Sequence, residues 1–421
     1  MRHILFMTAL TATAAAEPAR FNYDESKVPP YSLPDPLRSA AGAAISSKEA
    51  WIGGLREETR QLIEREMFGK APARPKLNFK VEEEATPALN GKVRRKQIAV
   101  SLSGKAEGPF MDMLLYVPAG ATGPVPVLFG LNFQGNQAVS RDPGIHLCRS
   151  WLREDVKGGI VQNKATEASR GLQADSWQIE YATSRGYGVM TACYCDIDPD
   201  FHDEWKNGVH ALFPEIEAKR DGATWGAIAA WAWGMSLGID YLEREPLADA
   251  KRVIAQGHSR LGKTALWAGA SDTRFALVIS NDSGAGGAAL NKRIFGETVG
   301  RLNSAFPHWF CGNFKKYSDK EGDMAFDSHQ IIALIAPRPV LITSATKDLW
   351  ADPKGEFLGG LHANPVYKLL GTDGMTAEEQ PLPDKLIDST IGYFLRTGEH
   401  DVTKADWEAY LNFADKHLPK P

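Results

Sequence analysis

The segment VIAQGHSRLGKTALWAGA, residues 253–270, constrains the fold of this chain more than any other. It begins as a buried β-strand, ends as a helix, and has Ser259 at the junction. Gly257 precedes the serine by two positions and Gly262 follows it by three, one residue later than in the usual nucleophile elbow. Such a turn raises a serine above the carboxyl edge of a sheet, so we expect Ser259 to be a nucleophile; a helix N-cap serine is the alternative.

Strand and helix patterns alternate along most of the chain from Pro124 onward. Continuous apolar strands are typical of a parallel sheet buried on both faces, and their alternation with helices predicts a doubly wound, mostly parallel α/β sheet. We expect strands over residues 92–104, 110–120, 125–133, 186–198, 251–259, 275–284 and 338–348, and helices over residues 48–68, 223–245 and 406–418.

The N-terminal stretch MRHILFMTALTATAAAEPAR has a basic start, an apolar centre and small residues before Glu17. This pattern predicts a signal peptide over residues 1–16, and the stretch is too short for a membrane anchor. The remaining chain, 17–421, is predicted to be a single catalytic domain with an N-terminal extension from 17 to about 90. We therefore expect a secreted or periplasmic protein.

The charge balance argues against several classes of partner. The chain has 48 basic and 52 acidic residues and a net charge of −4, which gives no support for binding nucleic acid or an anionic membrane. The four cysteines lack a zinc-site spacing, and Cys193 and Cys195 alternate along a predicted strand, so they should not bond to each other. We expect neither a metal nor an organic cofactor.

A nucleophilic serine needs a base, and the base needs an acid to orient it. His400 lies in a polar loop immediately before the terminal helix, where the chain order serine–acid–histidine places the base. Two acids are candidates: Asp348 follows the penultimate predicted strand, and Asp282 follows the strand after the nucleophile. The sequence pattern leaves both open.

Two cations follow the serine at once. Arg260 and Lys263 lie at the start of the predicted helix, where positive charge does not stabilise the helix. They indicate an anionic group beside the scissile bond, with ion pairing to nearby carboxylates as the alternative. Trp350 and Glu297 add a ring and a carboxylate suited to a sugar. Together these residues predict a serine esterase for a sugar-like substrate.

Several motifs together resemble carbohydrate esterase family 15, the glucuronoyl esterases, from about residue 95 to the end: GHSRLGK, NDSGAGG, FGETVGRLN, FPHWFCGNFKKY, KDLWADP and GEHDVTKADW. The resemblance implies an α/β-hydrolase fold, a three-layer sandwich. It also implies hydrolysis of the ester between 4-O-methyl-glucuronic acid of glucuronoxylan and a lignin alcohol. An acetylxylan esterase, a broader carboxylesterase and a non-catalytic glycan-binding protein are the alternatives.

The resemblance also implies roles for single residues. Ser259 matches the nucleophile, His400 the base, Arg260 the arginine that supports the oxyanion and Lys263 the lysine that contacts sugar hydroxyls. Glu297 and Trp350 match further positions that bind the uronate. The family's usual glutamate is replaced here by the shorter Asp282, which favours Asp348 slightly as the acid. A monomer that acts on glucuronoxylan and lignin–carbohydrate esters is expected.

Overall fold

The computed structural model describes residues 21–418, and the predicted signal peptide lies outside the described residues. Ten strands form the central sheet in the order β1-β2-β3-β7-β4-β8-β9-β10-β12-β11, and β5 pairs with β6 in a separate hairpin. The strands are β1 Phe79–Ala88, β2 Val93–Ser101, β3 Phe110–Pro118, β4 Val125–Asn132, β5 Ile160–Val161, β6 Lys164–Ala165, β7 Gly188–Cys193, β8 Ala248–His258, β9 Phe275–Asn281, β10 Val340–Ala345, β11 Leu386–Ile387 and β12 Ile391–Arg396.

Helices cover both faces of this sheet. The α-helices are α1 Lys48–Ala50, α2 Arg56–Ile63, α3 Ala174–Trp177, α4 Ile179–Ser184, α5 Tyr194–Ile197, α6 Pro214–Glu217, α7 Ala227–Leu242, α8 Arg260–Ser271, α9 Val299–Ala305, α10 Ser328–Ala333, α11 Pro353–Leu369 and α12 Lys404–His417. A wider π-helical turn, Trp51–Leu55, joins α1 to α2, and a second one, Glu64–Phe68, extends α2. Together these elements form the helical stretch predicted over residues 48–68. Short 3-10 turns lie at Glu25–Lys27, Asn136–Val139, Glu167–Ser169, Gly208–Leu212, Asn291–Arg293, Gly312–Tyr317, Glu321–Asp323 and Leu349–Ala351.

The predicted α/β fold with a mostly parallel sheet is confirmed at the centre of the molecule. Strands β7, β4, β8, β9, β10 and β12 run parallel, whereas β1, β2 and β3 pair antiparallel on one side and β11 pairs antiparallel on the other. Parallel strands present their carboxyl ends at one edge of a sheet, where loops can assemble a site.

Successive side chains of a central strand enter two different hydrophobic cores. In β8, Val253 and Ala255 join the core that contains α7 and α8, whereas Ile254 joins the core that contains α12. This alternation is what a strand covered by helices on both faces requires. It accounts for the unbroken apolar runs in the sequence and makes the architecture a three-layer sandwich.

Several predicted strands are longer than the observed ones, and the strand predicted over 186–198 extends furthest past its observed end. The strand expected over 186–198 ends at Cys193, and Tyr194 begins helix α5. Asp196 is drawn inward by hydrogen bonds from the Ser150 hydroxyl and the Asp112 backbone amide, and this interaction ends the strand. Cys195 therefore does not lie on the strand, although all four cysteines are free thiols.

Three strands of the central sheet, β1, β11 and β12, were not anticipated from the sequence, and β11 has only two residues. Strand β1 belongs to the predicted N-terminal extension, and it contains three consecutive glutamates and a proline, so its pattern lacks the apolar face of a core strand. Strand β12 has only six residues, which is too short for its periodicity to separate strand from helix. None of the helices within residues 21–418 is long and apolar enough to cross a membrane.

Candidate active site

Ser259 occupies a strained turn between β8 and α8. Its backbone angles are φ 57° and ψ −128°, a conformation that side chains other than glycine adopt at a cost of order 1–3 kcal/mol. Its amide donates to the Asn281 carbonyl at 2.9 Å, and its carbonyl accepts from the amides of Gly262 and Lys263. The strand end and the first helical turn thus hold the serine in a conformation that the sequence pattern predicts.

The displaced glycine of the elbow has a structural explanation. A Cβ on Gly257 would lie 2.0 Å from the Leu261 carbonyl oxygen, so no side chain fits there. A Cβ on Gly262 would come to 3.0 Å from both the Asn281 carbonyl and the Ser283 side chain. The helix therefore approaches the end of β9 at Gly262, whereas Leu261 is buried in the core that contains α7 and α8.

His400 and Asp348 form a hydrogen-bonded pair beside this turn. The Nδ1 atom of His400 lies 2.6 Å from Oδ2 of Asp348, which is buried, whereas the imidazole is 41% exposed. Both Ser259 and His400 line one cavity of about 350 Å³. The Asp348 bond at Nδ1 leaves Nε2 as the ring nitrogen that can exchange a proton with a reacting group.

Asp282, the other candidate acid, lies close by but does not pair with the histidine. One of its carboxylate oxygens lies within 4.8 Å of a carboxylate oxygen of Asp348 and of a ring nitrogen of His400. Both of its carboxylate oxygens are buried without a hydrogen-bond partner among the described residues, and its backbone has φ 44°. Burial, followed by the charges of Glu356 and Asp348, raises the pKa of Asp282 well above its ordinary value. Burial therefore disfavours the ionised form of this carboxyl group.

His258, inside the elbow, is not suited to act as a base. Its Nδ1 lies 2.5 Å from Oδ1 of Asn281, and its ring centroid is 4.4 Å from that of His400. Burial, followed by the charge of His400, lowers the pKa of His258 to about 3. The imidazole is consequently uncharged at neutral pH and is a poor proton acceptor there.

Arg260 is paired with a carboxylate that the sequence analysis did not identify. Its Nη1 donates to Oδ2 of Asp200, which is completely buried. Asp200 also accepts hydrogen bonds from His308 at 2.9 Å, Trp309 at 2.7 Å and Tyr194 at 3.1 Å. Although burial alone would raise it, the His308 hydrogen bond and the Arg260 charge hold the pKa of Asp200 well below its ordinary value.

Nothing in the sequence around Asp200 marks it as a partner of Arg260. It is one of four aspartates in the eight residues DIDPDFHD, which follow β7 by only two residues. A position shortly after the carboxyl end of a parallel strand is the only available signal, and its neighbours share it. The pairing depends on two segments that are 60 residues apart.

Lys263 is also paired. Its Nζ donates to Oε2 of Glu297 at 2.8 Å and to the Ser283 carbonyl at 2.6 Å, and both charged side chains are buried. Each of the two cations beside the serine therefore has a carboxylate partner. The ion-pair interpretation of the two cations accounts for them better than an anionic ligand does.

Aromatic rings form much of the cavity wall. Phe306 and Trp309 stack with centroids 3.8 Å apart, and the Arg260 guanidinium lies 4.9 Å from the Trp309 ring. Trp350 lines the same cavity, as do Lys263 and Glu297. All the site residues predicted from the sequence except Asp348 thus line one cavity. Asp348 is hydrogen-bonded to His400, which lines that cavity.

Two clusters within residues 21–418 contain side chains that could ligate a metal ion. One consists of Asp282, Asp348 and His400, where the His400–Asp348 hydrogen bond already uses the ring nitrogen nearest the carboxylate. The other consists of Cys148, Cys193 and Asp196, and Cys193 is the last residue of β7. Burial raises the pKa of the Cys193 thiol well above its ordinary value, which disfavours the thiolate that a metal would need.

The central sheet and the serine at its strand–helix turn define an α/β-hydrolase fold. A family model described as "Glucuronyl esterase, fungi" matches residues 218–371. The chain is 51% identical over 404 residues to carbohydrate esterase MZ0003 of an unknown prokaryotic organism, covering 96% of this chain and 93% of that protein.

Two solved structures are similar over nearly the whole chain. The structure of a promiscuous CE15 esterase from a marine bacterial metagenome is 51% identical, with a TM-score of 0.89, covering 94% of this chain and 100% of that one. The glucuronoyl esterase of Solibacter usitatus is 45% identical, with a TM-score of 0.88, covering 93% and 99%. This chain belongs to carbohydrate esterase family 15, and it is a carboxylic ester hydrolase, as the sequence predicts.

Proposed function

We propose that this enzyme hydrolyses the ester between (4-O-methyl-)glucuronic acid of glucuronoxylan and the alcohols of lignin. The observation that carries the proposal is the single cavity that contains Ser259 and His400 together with Lys263, Glu297 and Trp350. The amine, carboxylate and ring are groups that hydrogen bond and stack on a sugar, and they adjoin the nucleophile. The likeness to the Solibacter usitatus glucuronoyl esterase supports the same acyl group.

The proposed reaction proceeds through an acyl-enzyme. His400 removes the proton from Ser259 Oγ as that oxygen bonds to the glucuronoyl carboxyl carbon, and Asp348 holds the histidine in the tautomer that leaves Nε2 free. The carbon–alcohol bond then breaks, and His400 gives its proton to the departing alkoxide. Water repeats the sequence, with His400 as base, and releases glucuronic acid and free Ser259.

Arg260 supports the oxyanion in this proposal, with backbone amides that include those of the loop at residues 130–136. The pairing of Arg260 with Asp200 favours an uncharged ester as the ligand, because the guanidinium charge is already balanced before substrate binds. Negative charge appears on the carbonyl oxygen only in the transition state, where additional donors are most effective. An arginine held this way strengthens catalysis without strong binding of a free carboxylate.

The decisive experiment compares kcat/KM on benzyl and methyl glucuronate with that on 4-nitrophenyl acetate. We expect the uronate esters to be preferred and the Ser259→Ala variant to lose at least about a thousandfold on both. Ser271→Ala, at the far end of the same helix, is the matched control and should retain wild-type rates. Preference for the acetate would contradict the proposed acyl group. A wild-type protein inactive on all of these esters would leave non-catalytic glycan binding as the remaining function.

A broader carboxylesterase is the second candidate, because the metagenomic relative at 51% identity is described as promiscuous. The same experiment separates the two: comparable kcat/KM values on uronate and acetate esters would favour the broad activity.

We also propose that the protein is secreted or periplasmic, acts as one catalytic domain and needs no cofactor. These points rest on the predicted signal peptide and on the acyl-transfer chemistry of the site.

A further inference from the structure

Residues 21–27, here called the N-terminal arm, reach the cavity from outside the central sheet. They precede the helical stretch and contain only one short 3-10 turn, Glu25–Lys27. The arm contacts two loops on the substrate side of the cavity. One is the segment 291–297, which carries Glu297, and the other is the segment 348–354, which carries Trp350.

The arm contacts the Glu297 loop through its backbone. The Asn22 carbonyl accepts a hydrogen bond from the Gly296 amide at 2.8 Å, and the Tyr23 ring lies 6.3 Å from the ring of Phe295. Gly296 has φ 62°, and a Cβ there would come to 2.4 Å from the Trp350 carbonyl oxygen. The loop is therefore enclosed between the arm and the Trp350 loop at the residue immediately before Glu297.

The arm contacts the Trp350 loop through side chains. The Phe21 ring meets the Trp350 ring edge-on, with centroids 4.8 Å apart and planes at 82°. Glu25 accepts from Arg293 at 2.5 Å and from Lys354 at 3.1 Å, so one carboxylate joins a cation from each loop. Arg293 is almost completely buried and donates to Asp352 as well, at 2.8 Å.

The two loops are also bonded to each other at the substrate-facing residues. The Glu297 amide donates to the Trp350 carbonyl at 2.8 Å. Ile294 and Asp352 have φ values of 50° and 52°, a left-handed conformation that persists only where surrounding contacts determine it. The Asn22, Phe21 and Glu25 contacts supply part of that determination from a segment outside the catalytic sheet.

We propose that the N-terminal arm is a positioning element of the acyl-binding site, which holds Glu297 and Trp350 in place for the sugar of the substrate. The proposal rests on the proposed function, because it assigns Glu297 and Trp350 to the uronate. Loss of an arm contact frees the two loops, so the sugar must order them when it binds and its affinity falls. The contacts described for the arm are with the two loops and not with Ser259, so we expect kcat to change little.

The test compares Phe21→Ala and Glu25→Gln with wild type on methyl glucuronate and on 4-nitrophenyl acetate, which lacks the sugar. We expect KM for the uronate to rise about fivefold to tenfold, with kcat within about twofold and with smaller effects on the acetate. Phe21→Tyr keeps the ring edge and should restore most of the affinity. Lys27→Gln is the matched control, because the 74%-exposed Lys27 pairs with Asp24 of the arm itself rather than with either loop.

Three outcomes would overturn the proposal. An unchanged KM in both variants would show that the arm does not position the loops. An equal fall in kcat/KM on both substrates, together with a lower melting temperature, would show a general structural role instead. Failure of Phe21→Tyr to restore the affinity for the uronate would show the same.

A wild-type enzyme inactive on glucuronate would refute the proposed function rather than the arm. In that case the role of the arm is tested by measuring the hydrogen-exchange rates of the Gly296 and Glu297 amides. Faster exchange in Phe21→Ala and Glu25→Gln than in Lys27→Gln would support the positioning role, and unchanged exchange would refute it.

Discussion

At the scale of single residues, the two aspartates near His400 differ in their surroundings more than in their distance. Asp348 lies 2.6 Å from the imidazole, whereas Asp282 has no hydrogen-bond donor within the described part of the chain. A triad acid must accept a hydrogen bond from the histidine and stabilise its positive charge during the reaction. The geometry is suited to Asp348 in that role, and Asp282 lies beside the pair without a hydrogen bond to it.

Removing one or the other carboxylate should therefore change kcat to very different extents. Asp348→Asn should lower kcat by about a thousandfold or more, because an amide can no longer stabilise the imidazolium or hold the tautomer. Asp282→Asn should retain kcat within about threefold. Steady-state kinetics on the same uronate ester measures both, and a larger loss in Asp282→Asn would assign the acid to that residue.

The buried Asp282 carboxyl should also affect stability with a definite sign. Its pKa is raised in the folded state, so the unfolded chain releases this proton at a lower pH than the folded chain does. The contribution to the free energy of unfolding is consequently full below about pH 4 and is lost as pH rises, by at most about 1.4 kcal/mol per pH unit.

Urea unfolding between pH 4 and pH 8 measures this effect. Wild type should lose stability relative to Asp282→Asn as the pH increases, whereas Thr346→Ser, a change at a half-buried residue after β10 that keeps the hydroxyl, should show the same pH dependence as wild type. A difference between wild type and Asp282→Asn that does not change with pH would mean that folding does not raise the pKa of this carboxyl group.

At the scale of elements, the elbow depends on how closely α8 approaches the ends of β8 and β9. The glycine before the serine faces the backbone of the first helical turn, and the one after it faces the end of β9. The two glycines are crowded to different degrees, since the nearest atoms to a Cβ would be at 2.0 Å for Gly257 and at 3.0 Å for Gly262.

Alanine at these two positions should therefore have unequal effects. Gly257→Ala must displace the turn that holds Ser259, and we expect a loss of about 3 kcal/mol or more in stability and of about a hundredfold or more in kcat. Gly262→Ala also removes a helix-interior glycine, which favours the helix by about 1 kcal/mol, so its net change should stay within about 1 kcal/mol. Thermal unfolding and ester turnover check the pair, and equal losses would contradict this account of the elbow.

At the scale of the whole molecule, both edges of the sheet are poorly suited to pairing with a second chain. At one edge, β1 carries Glu82, Glu83 and Glu84, and its pairing with β2 is interrupted by two register shifts. At the other edge, β11 has only two residues. Charged, irregular and very short edge strands are the usual protection against edge-to-edge association.

The enzyme should accordingly be a monomer, as the sequence analysis predicts. Light scattering after size exclusion should give the mass of one chain, close to 46.1 kDa before removal of any signal peptide. The value should not change with protein concentration. A mass of two chains that persists on dilution would contradict the prediction and would indicate an interface other than the sheet edges.

The sequence by itself determined the elements whose signal is local. The strand–serine–helix segment and the apolar strands of the central sheet follow from short-range periodicity and turn chemistry, and the choice of His400 follows from the chain order of hydrolase triads. Strand β1 escaped detection because its sequence is that of an edge, and the strand predicted over 186–198 was too long because Asp196 turns inward on contacts 46 and 84 residues away.

Only the tertiary structure decided which charges meet. The hydrogen bond of His400 with Asp348, the pairing of Arg260 with Asp200, the Lys263–Glu297 pair and the contacts of the N-terminal arm with two loops join residues between 34 and 329 positions apart in the sequence. Burial then sets the energy of each pairing, because a carboxylate removed from water is stable only beside donors that no local pattern reveals.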